Sequence, residues 1–405
     1  MPTTPTRTRT RPTPASDAAL LRAIAPTGAD EFLAGYWERR PLHVERGEPG
    51  RFDDLLSARD VERQMSEPGL RTPGFRLVKA GEKLDPRDYT VDLPWRPRPF
   101  TGSADHLAVL REFTRGATVV LQGLHLTWTP LARYCRELEA FLGHPVQANA
   151  YYTPAQSQGL PVHHDTHDVL VLQVSGSKRW LIYDPVFELP LKHQRYKAEM
   201  GEPGPAVMDV VLRAGHTLYL PRGWLHEALT SDEDSLHLTV GVSVITWLDA
   251  LRDVLAECED DVEFRRSVPA DGEGASELVE RLAERVGQEQ VADVVRAKFL
   301  GARRPVLEGQ LDDLRALPAL TGSSSVARRE TVIADLTDLG DGRVALVFEG
   351  RRVVFPPHAR EELEALVEAS APLRLSELPG RLDDEGRLVL ARRLVREGFL
   401  RLAGL

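Results

Sequence analysis

The chain has 405 residues, 42% hydrophobic and 28% charged, a composition typical of a soluble globular protein with enough apolar material for a sizeable core. Its formal net charge of −10 argues against a polyanion-binding protein and favours a basic partner. Two cysteines are too few for a disulfide framework or a zinc cluster, and no apolar run of about eighteen residues or hydrophobic signal core is present. We therefore expect a cytoplasmic protein without a membrane span, built from two or three domains.

The N-terminal third combines a low-complexity tail with short helices. Residues 1–16 are rich in Thr, Pro and Arg and poor in apolar side chains, which predicts a disordered tail. Helices are predicted at Asp17–Ile24, Asp30–Trp37, Phe52–Leu56, Ala58–Met65, Leu107–Arg115 and Leu131–Leu142, and strands at Pro41–Val44 and Thr118–Gly123. Residues 67–106 have no clear periodicity, and we interpret Tyr89, Trp95 and Phe100 within them as packing aromatics rather than a substrate rim.

A series of short strands separated by Gly and Pro follows. The predicted strands are Gln147–Tyr152, Asp168–Val174, Arg179–Tyr183, Met208–Leu212, Thr217–Leu220, Leu225–Ala228 and Leu236–Ile245. We interpret residues 175–177 (Ser-Gly-Ser) as the turn of a hairpin between the second and third of these strands. Many short strands at this spacing are typical of a sandwich or a barrel.

A candidate metal site precedes this hairpin. His163 and Asp165 are two residues apart, so their side chains point to the same side of an extended chain. His226, which follows a Pro/Gly turn, supplies a third ligand. Two imidazoles and one carboxylate on one side of a metal leave about three positions open, as in non-heme Fe(II) oxygenases. The alternatives are a chance His-x-Asp on a surface loop and His167 as a rival ligand.

Two further groups are expected near this site. Lys178 begins the returning strand and is placed to pair with the far carboxylate of a dicarboxylate whose other end chelates the metal. A solvated turn lysine is the alternative interpretation. His237 and Thr239 alternate on the last predicted strand, and we expect their shared face to point toward the pocket.

Two stretches carry a family resemblance. Asn149–Trp180 and Gly215–Ala228 closely resemble the JmjC-type cupin oxygenases that hydroxylate ribosomal proteins on histidine or arginine, and Phe32–His43 resembles the N-terminal signature of that group. The resemblance is dense over residues 140–250 and 30–44 and only architectural beyond 250. It implies a double-stranded β-helix from Gln147 to about Thr246, within an oxygenase domain at residues 17–246.

The resemblance also implies ligands and co-substrates. His163, Asp165 and His226 match the family's Fe(II) ligands, which favours Asp165 over His167. Lys178 matches the basic residue that binds 2-oxoglutarate. With O2 as the second co-substrate, the implied reaction is the hydroxylation of a side chain in a protein substrate.

Three more residues are expected to contribute to the same pocket. Asn149 and Tyr151 match positions that line it in the resembled family. We expect Asn149 and Thr239 to contact the co-substrate and Tyr151 to contact the substrate. A tailoring hydroxylase of a peptide natural product or a free amino acid is the alternative enzyme. A non-enzymatic metal-binding cupin that acts as a regulator is the third hypothesis, and lysine demethylation is less favoured.

The character of the chain changes after residue 246. Apolar residues at helical spacing at Trp247–Glu257, Asp261–Ser267 and Ser276–Phe299 predict a helical domain over residues 247–318. In the resembled oxygenases such a segment forms a homodimer; a linker packed on its own barrel is the alternative. The whole chain is therefore expected to be mixed α+β.

A winged-helix-like domain is predicted over residues 326–405, after a Gly/Ser-rich break. Its elements are strands at Arg343–Phe348 and Arg351–Phe355, helices at Pro357–Ser370 and Glu385–Glu397, and a last strand at 398–402. Charges of both signs on the second helix and an acidic first helix argue against direct DNA binding. We interpret the domain as structural or as a protein-contact module.

Overall fold

The computed structural model describes residues 16–66, 69–157 and 160–404, without the side chains of residues 230, 231, 288 and 289. The predicted disordered tail lies outside the described residues apart from Ser16. Two compact units are present. We call residues 16–142 with 146–244 the sheet unit, and residues 143–145 with 245–404 the C-terminal unit. Within the described ranges, none of the helices combines the length and apolarity that a membrane crossing requires.

The sheet unit combines short helices with a large antiparallel sheet, and its first strands alternate with the helices along the chain. Its helices are α1 (Ala18–Ile24), α2 (Ala29–Gly35), α3 (Ala58–Ser66), α4 (His106–Thr114), α5 (Leu124–Thr127) and α6 (Thr129–Leu142). Its strands are β1 (Leu42–Val44), β2 (Phe75–Lys79), β3 (Glu82–Lys83), β4 (Thr90–Leu93), β5 (Phe100–Ala104), β6 (Thr118–Leu121), β7 (Val146–Thr153), β8 (Asp168–Tyr183), β9 (Ala206–Arg213), β10 (Thr217–Leu220) and β11 (Leu225–Val242). The order β1-β10-β8-β11-β7-β6-β2-β3 forms one sheet, β9 pairs with β8, and β4 and β5 form a separate pair.

The predicted hairpin within residues 168–183 is wrong. This segment is one continuous strand, β8, because the 18-residue strand β11 pairs with it antiparallel along its length, with register shifts between Thr230 and Ser235 and between Leu236 and His237. Gly176 serves the close approach of the two strands at this irregularity rather than a chain reversal. It has a φ of +64°, and a Cβ atom there would lie 1.8 Å from the Asp234 carbonyl oxygen.

Strand β8 reads as a continuous apolar run because both of its faces are buried. Leu170 and Leu172 pack into the main core with the N-terminal helices. Val169 and Val171 point to the other face and form a second cluster with residues of β9 and β10. The sequence of this strand therefore shows no alternation of apolar and polar residues, although successive side chains still point to opposite faces of the sheet.

Two predictions for the N-terminal half need correction. Residues Phe52–Leu56 form turns rather than a helix. The unassigned segment contains strands β2 to β5, and its aromatics differ: Tyr89 is fully buried against Phe75, whereas Trp95 is 65% exposed beside the half-exposed Phe100. The packing interpretation therefore holds for Tyr89 and is wrong for Trp95.

The C-terminal unit is helical first and mixed afterwards. Its helices and strands are α7 (Trp247–Glu257), α8 (Ala275–Arg285), α9 (Gln288–Ala302), α10 (Gln310–Ala316), β12 (Ser325–Arg328), β13 (Ala334–Asp338), β14 (Val344–Phe348), β15 (Arg351–Phe355), α11 (Arg360–Glu368), β16 (Leu373–Arg374), α12 (Asp384–Arg396) and β17 (Leu400–Ala403). Short 3-10 turns replace the helix expected at 261–267, and Gly287 separates α8 from α9. The predicted strands and helices after residue 343 are present in the expected order, with the additional two-residue strand β16 between α11 and α12, while the winged-helix assignment stays a prediction.

Candidate metal centre

The predicted ligands His163 and His226 are brought together by backbone pairing. Their residues form an isolated antiparallel bridge in which each N–H donates to the other's carbonyl, at 3.1 and 2.8 Å. A third backbone bond, from the Gly223 N–H to the Asp165 carbonyl at 3.1 Å, holds the next residue of the pattern against the same turn. The two parts of the motif lie about sixty residues apart in sequence, and the backbone pairing at the start of β11 brings them together.

The three predicted ligands form a cluster suited to one ion. One ligand atom from each of His163, Asp165 and His226 lies within 4.8 Å of the others. The Asp165 Oδ2 atom lies 3.9 Å from His226 Nε2. Among the described residues this is the one group of three or more His, Cys, Asp or Glu side chains with such geometry, and His167 is not part of it.

Each of the two histidine rings is oriented by a hydrogen bond to the backbone carbonyl two residues before it. The Nδ1–H of His163 donates to the Pro161 carbonyl at 2.8 Å, and the Nδ1–H of His226 donates to the Trp224 carbonyl at 3.0 Å. A carbonyl oxygen only accepts, so each ring must carry its proton on Nδ1. Nε2 of each ring is left as the free lone pair, which is the state that a metal ligand needs.

The electrostatics of the cluster favour its metal-binding protonation state. Burial, followed by the neighbouring His163 ring, lowers the pKa of His226 to about 4, so this imidazole is neutral at pH 7. Burial raises the pKa of the Asp165 carboxyl, but the imidazoles of His167 and His226 outweigh it, and the net pKa is lowered. When the imidazole is neutral and the carboxylate is ionised, a metal cation does not have to displace a proton from either ligand atom.

The cluster lines a cavity of about 500 Å³. Its other walls include Arg76, Tyr151, Lys178, Trp180, His237 and Thr239. This volume lies in the range of small-molecule sites, and several polar groups converge on it.

Lys178 lies on the wall of this cavity and is 4% exposed. Its ammonium donates to the Thr153 hydroxyl at 3.0 Å, and no carboxylate pairs with it among the described residues. Burial lowers the pKa of Lys178 to about 7. The solvated-lysine interpretation is therefore wrong: the side chain is buried on the wall of the cavity that His163, Asp165 and His226 also line.

Residues of β7 and β11 form the opposite wall. The rings of Tyr151 and His237 stack with centroids 5.0 Å apart and an interplanar angle of 2°, because the two residues are paired across the strands. Burial raises the pKa of the Tyr151 hydroxyl, and the neighbouring Arg76 and Thr239 partly offset this effect. The structure does not bring Asn149 to the cavity wall, since its side-chain oxygen accepts the Gly123 N–H at 2.9 Å.

Sequence reasoning missed two charged residues that the structure places here. Arg76 lies on β2, within the segment that had no readable periodicity, and its Nε donates to Gln122 at 2.7 Å. Arg195 lies in the long connection between β8 and β9. Only the position of β2 beside β6, which in turn pairs with β7, brings Arg76 to the cavity, and no local motif indicates it.

Comparison with known proteins places this site in a family. Residues 124–250, which include the three clustered ligands and Lys178, match the JmjC domain. The chain carries a JmjC domain. The predicted JmjC-type cupin core is thereby confirmed, and the JmjC residues span α5 to β11 and the start of α7.

Curated relatives of this JmjC protein are 30% and 32% identical to it over the aligned residues. It is 30% identical over 314 residues to the bifunctional lysine-specific demethylase and histidyl-hydroxylase NO66 of Drosophila persimilis, covering 74% of this chain and 43% of the relative. It is 32% identical over 260 residues to ribosomal oxygenase 1 of Gallus gallus, covering 61% of this chain and 41% of the relative. The chain thus spans less than half the length of these two relatives.

Solved structures share the fold of the JmjC protein over most of its length. The ribosomal oxygenase YcfD of Escherichia coli superposes with a TM-score of 0.54 at 20% identity, covering 93% of this chain and 98% of the other. A second structure of YcfD, in complex with cobalt and 2-oxoglutarate, gives a TM-score of 0.54 at 19% identity and covers 93% and 99%. At this identity the likeness establishes a common fold.

Proposed function

We propose that this protein is an Fe(II)- and 2-oxoglutarate-dependent oxygenase that hydroxylates a side chain of a ribosomal protein. One observation carries the proposal: an open-sided His–Asp–His cluster and a buried lysine without a charge partner among the described residues line one cavity. The names of the relatives, histidyl-hydroxylase and ribosomal oxygenase, support the substrate class.

The donor set fits iron. His163, Asp165 and His226 offer two neutral imidazole nitrogens and one carboxylate oxygen from one side, and this set with open positions suits non-heme Fe(II). When bound, the metal ion supplies the redox chemistry that activates O2. The residues of the chain orient the ligands through the Pro161 and Trp224 carbonyls and leave the opposite side open to the cavity.

Lys178 fits a dicarboxylate. A buried ammonium with a single hydroxyl partner is costly unless an anion joins it. A 2-oxoglutarate molecule that chelates the metal through its keto acid would present its distal carboxylate to this lysine, with the Thr153 hydroxyl beside it. Thr239 and Tyr151 on the facing strands would position the co-substrate and the substrate.

The charges of the cavity favour histidine as the hydroxylated residue. Arg76 and Arg195 both line the cavity, and within the described ranges neither has an ion-pair partner. The Glu227 carboxylate accepts the Tyr183 hydroxyl at 2.7 Å. An arginine or methylated lysine side chain would enter against like charges, whereas a neutral imidazole meets no such repulsion.

The C-terminal helices support the proposal of a homodimer. Helix α7 exposes Trp247, Leu251 and Leu255, which are 76%, 39% and 47% exposed and recur every four residues on one stripe. We assign residues 247–318 to this dimerisation domain and 17–246 to the oxygenase domain. Residues 326–405 are assigned to a winged-helix-like module for protein contact, and the protein acts in the cytoplasm.

Mass spectrometry tests the proposed substrate. Ribosomal proteins from a deletion strain of the source organism are incubated with the enzyme, Fe(II), 2-oxoglutarate and O2, then digested and compared with the same reaction of an Asp165→Ala variant. We expect one histidine-containing peptide to gain the mass of one oxygen atom only with the active enzyme. Succinate formation without any modified ribosomal protein would favour the alternative, a tailoring hydroxylase of a peptide natural product or a free amino acid.

A further inference from the structure

The guanidinium of Arg222 joins three segments of the sheet unit behind the metal ligands. Arg222 lies in the turn before β11, four residues before His226, and is 6% exposed. Its Nη1 lies 3.0 Å from Asp168 Oδ2 and also pairs with Glu38. Asp168 is fully buried and follows Asp165 by three residues. One cation therefore connects the two ligand-bearing segments to a residue of the N-terminal region.

Tyr219 adds a second connection at the same place. Its hydroxyl donates to Asp168 Oδ1 at 2.8 Å and accepts the Glu38 N–H at 2.9 Å. Its ring stacks on Trp37, with centroids 6.0 Å apart, and meets Phe32 edge-on at 4.8 Å. The stretch from Phe32 to Glu38 is thus packed against the strand and the turn that carry the site.

The backbone at Glu38 shows that these contacts determine the local conformation. Glu38 has a φ of +56°, a left-handed value that a non-glycine residue adopts only when its surroundings hold it there. The Glu38 carboxylate reaches Arg222, and its N–H reaches Tyr219, so both contacts depend on this conformation.

We propose that residues 32–38 act as a brace for the metal centre, with Arg222 as the positioning residue that transmits it. Asp165 and His226 are carried by segments that already share the Gly223–Asp165 backbone bond, and the buried Arg222–Asp168 pair fixes the distance between those segments. Loss of the guanidinium leaves the Asp168 carboxylate buried with only the Tyr219 hydroxyl, so the segments separate to hydrate it. The ligand atoms of Asp165 and His226 then no longer lie close enough together to bind one metal ion. The inference rests on the proposed function only in requiring that the three ligands hold a metal.

The experiment measures metal binding rather than turnover. Co(II) is titrated into the metal-free full-length protein, and its dissociation constant and visible absorption spectrum are recorded for the wild type, Arg222→Met, Arg222→Lys and Glu38→Gln. The matched control is Arg136→Met, which removes an equally buried arginine from its ion pair with Glu139 on α6, outside the cavity. Melting temperatures are measured on the same metal-free samples.

We expect Arg222→Met and Arg136→Met to lower the melting temperature, but only Arg222→Met to weaken Co(II) binding, by about tenfold or more, and to change the Co(II) spectrum. Arg222→Lys should restore part of the affinity, because an ammonium still neutralises Asp168. Glu38→Gln leaves the Arg222–Asp168 pair in place, remains informative if Arg222→Met does not fold, and should weaken binding less. Wild-type affinity and spectrum in both Arg222→Met and Glu38→Gln, or an equal loss in Arg136→Met, would overturn the brace. Unchanged Co(II) affinity in Asp165→Ala would instead overturn the metal site itself.

Discussion

The ammonium of Lys178 donates to the hydroxyl of Thr153 at 3.0 Å, and both residues are buried on the wall of the JmjC cavity or directly behind it. Thr153 also receives the hydroxyl of Thr118 at 3.1 Å, so a neutral hydroxyl pair faces the cation. Two hydroxyl groups stabilise the buried ammonium poorly. Such an arrangement is expected of a binding site in which an anionic ligand pairs with the lysine.

Lys178→Met should stabilise the ligand-free protein while impairing its use of 2-oxoglutarate. The pKa of Lys178 is lowered to about 7, so below pH 7 the folded protein holds a buried charge that the unfolded chain exposes to water. We expect a gain of about 1–4 kcal/mol in the free energy of unfolding at pH 6–7. The gain should shrink as the pH rises from about 7 toward the unfolded pKa near 10.5, because the wild-type lysine then releases its proton in the folded state. Urea denaturation at several pH values checks this, and a destabilised variant at pH 6 would contradict it.

Binding of 2-oxoglutarate should weaken above pH 7. The distal carboxylate favours the charged lysine, whereas the free protein loses that proton above its pKa of about 7, so binding must take up a proton. We expect the dissociation constant to rise by about tenfold per pH unit between roughly pH 7.5 and 8.5. Isothermal titration with Mn(II) present measures it.

Lys178→Arg is the control for this pH dependence, since a guanidinium stays charged over the whole range. Its affinity should be nearly constant from pH 7 to 8.5. The same pH dependence in Lys178→Arg as in the wild type would assign the titration to another group.

Gly176→Ala should destabilise the sheet unit strongly. The added Cβ would lie 1.8 Å from the Asp234 carbonyl, and the residue has a φ of +64°. We expect a loss of about 3 kcal/mol or more in the free energy of unfolding. Gly123→Ala is the matched control in the same unit, since its φ is +67° but the nearest atom to its Cβ position is 4.0 Å away; it should lose only about 1–2 kcal/mol. Equal losses would mean that backbone strain alone acts at Gly176.

Arg76→Gln should relax the preference for a neutral substrate side chain. Arg76 lines the cavity together with Tyr151. In competition between matched peptides with a central histidine or arginine, we expect the wild type to prefer histidine and the variant to lose part of that preference. An unchanged ratio would mean that the cavity charges do not select the substrate.

The sequence predicted the cluster of His163, Asp165 and His226 because its members follow local rules. His163 and Asp165 share a strand face by their spacing, and His226 follows a readable Pro/Gly turn. Gly176 misled the strand assignment, since a glycine between two serines indicates a turn unless the pairing partner is known. Arg76 and the ion pair of Arg222 were not predictable, because each depends on contacts between segments far apart in sequence.

The most direct test of the central claim is the coupling between metal and co-substrate in Asp165→Ala. Succinate formation from 2-oxoglutarate with Fe(II) and O2 is measured beside Mn(II) affinity, with Asp209→Ala, an exposed carboxylate of β9 paired with Arg179, as the control. We predict that Asp165→Ala keeps its fold but loses succinate formation and most of its Mn(II) affinity, because one metal bond and little packing are removed, while Asp209→Ala keeps both. Wild-type succinate formation by Asp165→Ala would contradict the assignment of the three ligands, and a wild-type protein that forms no succinate would contradict the oxygenase function.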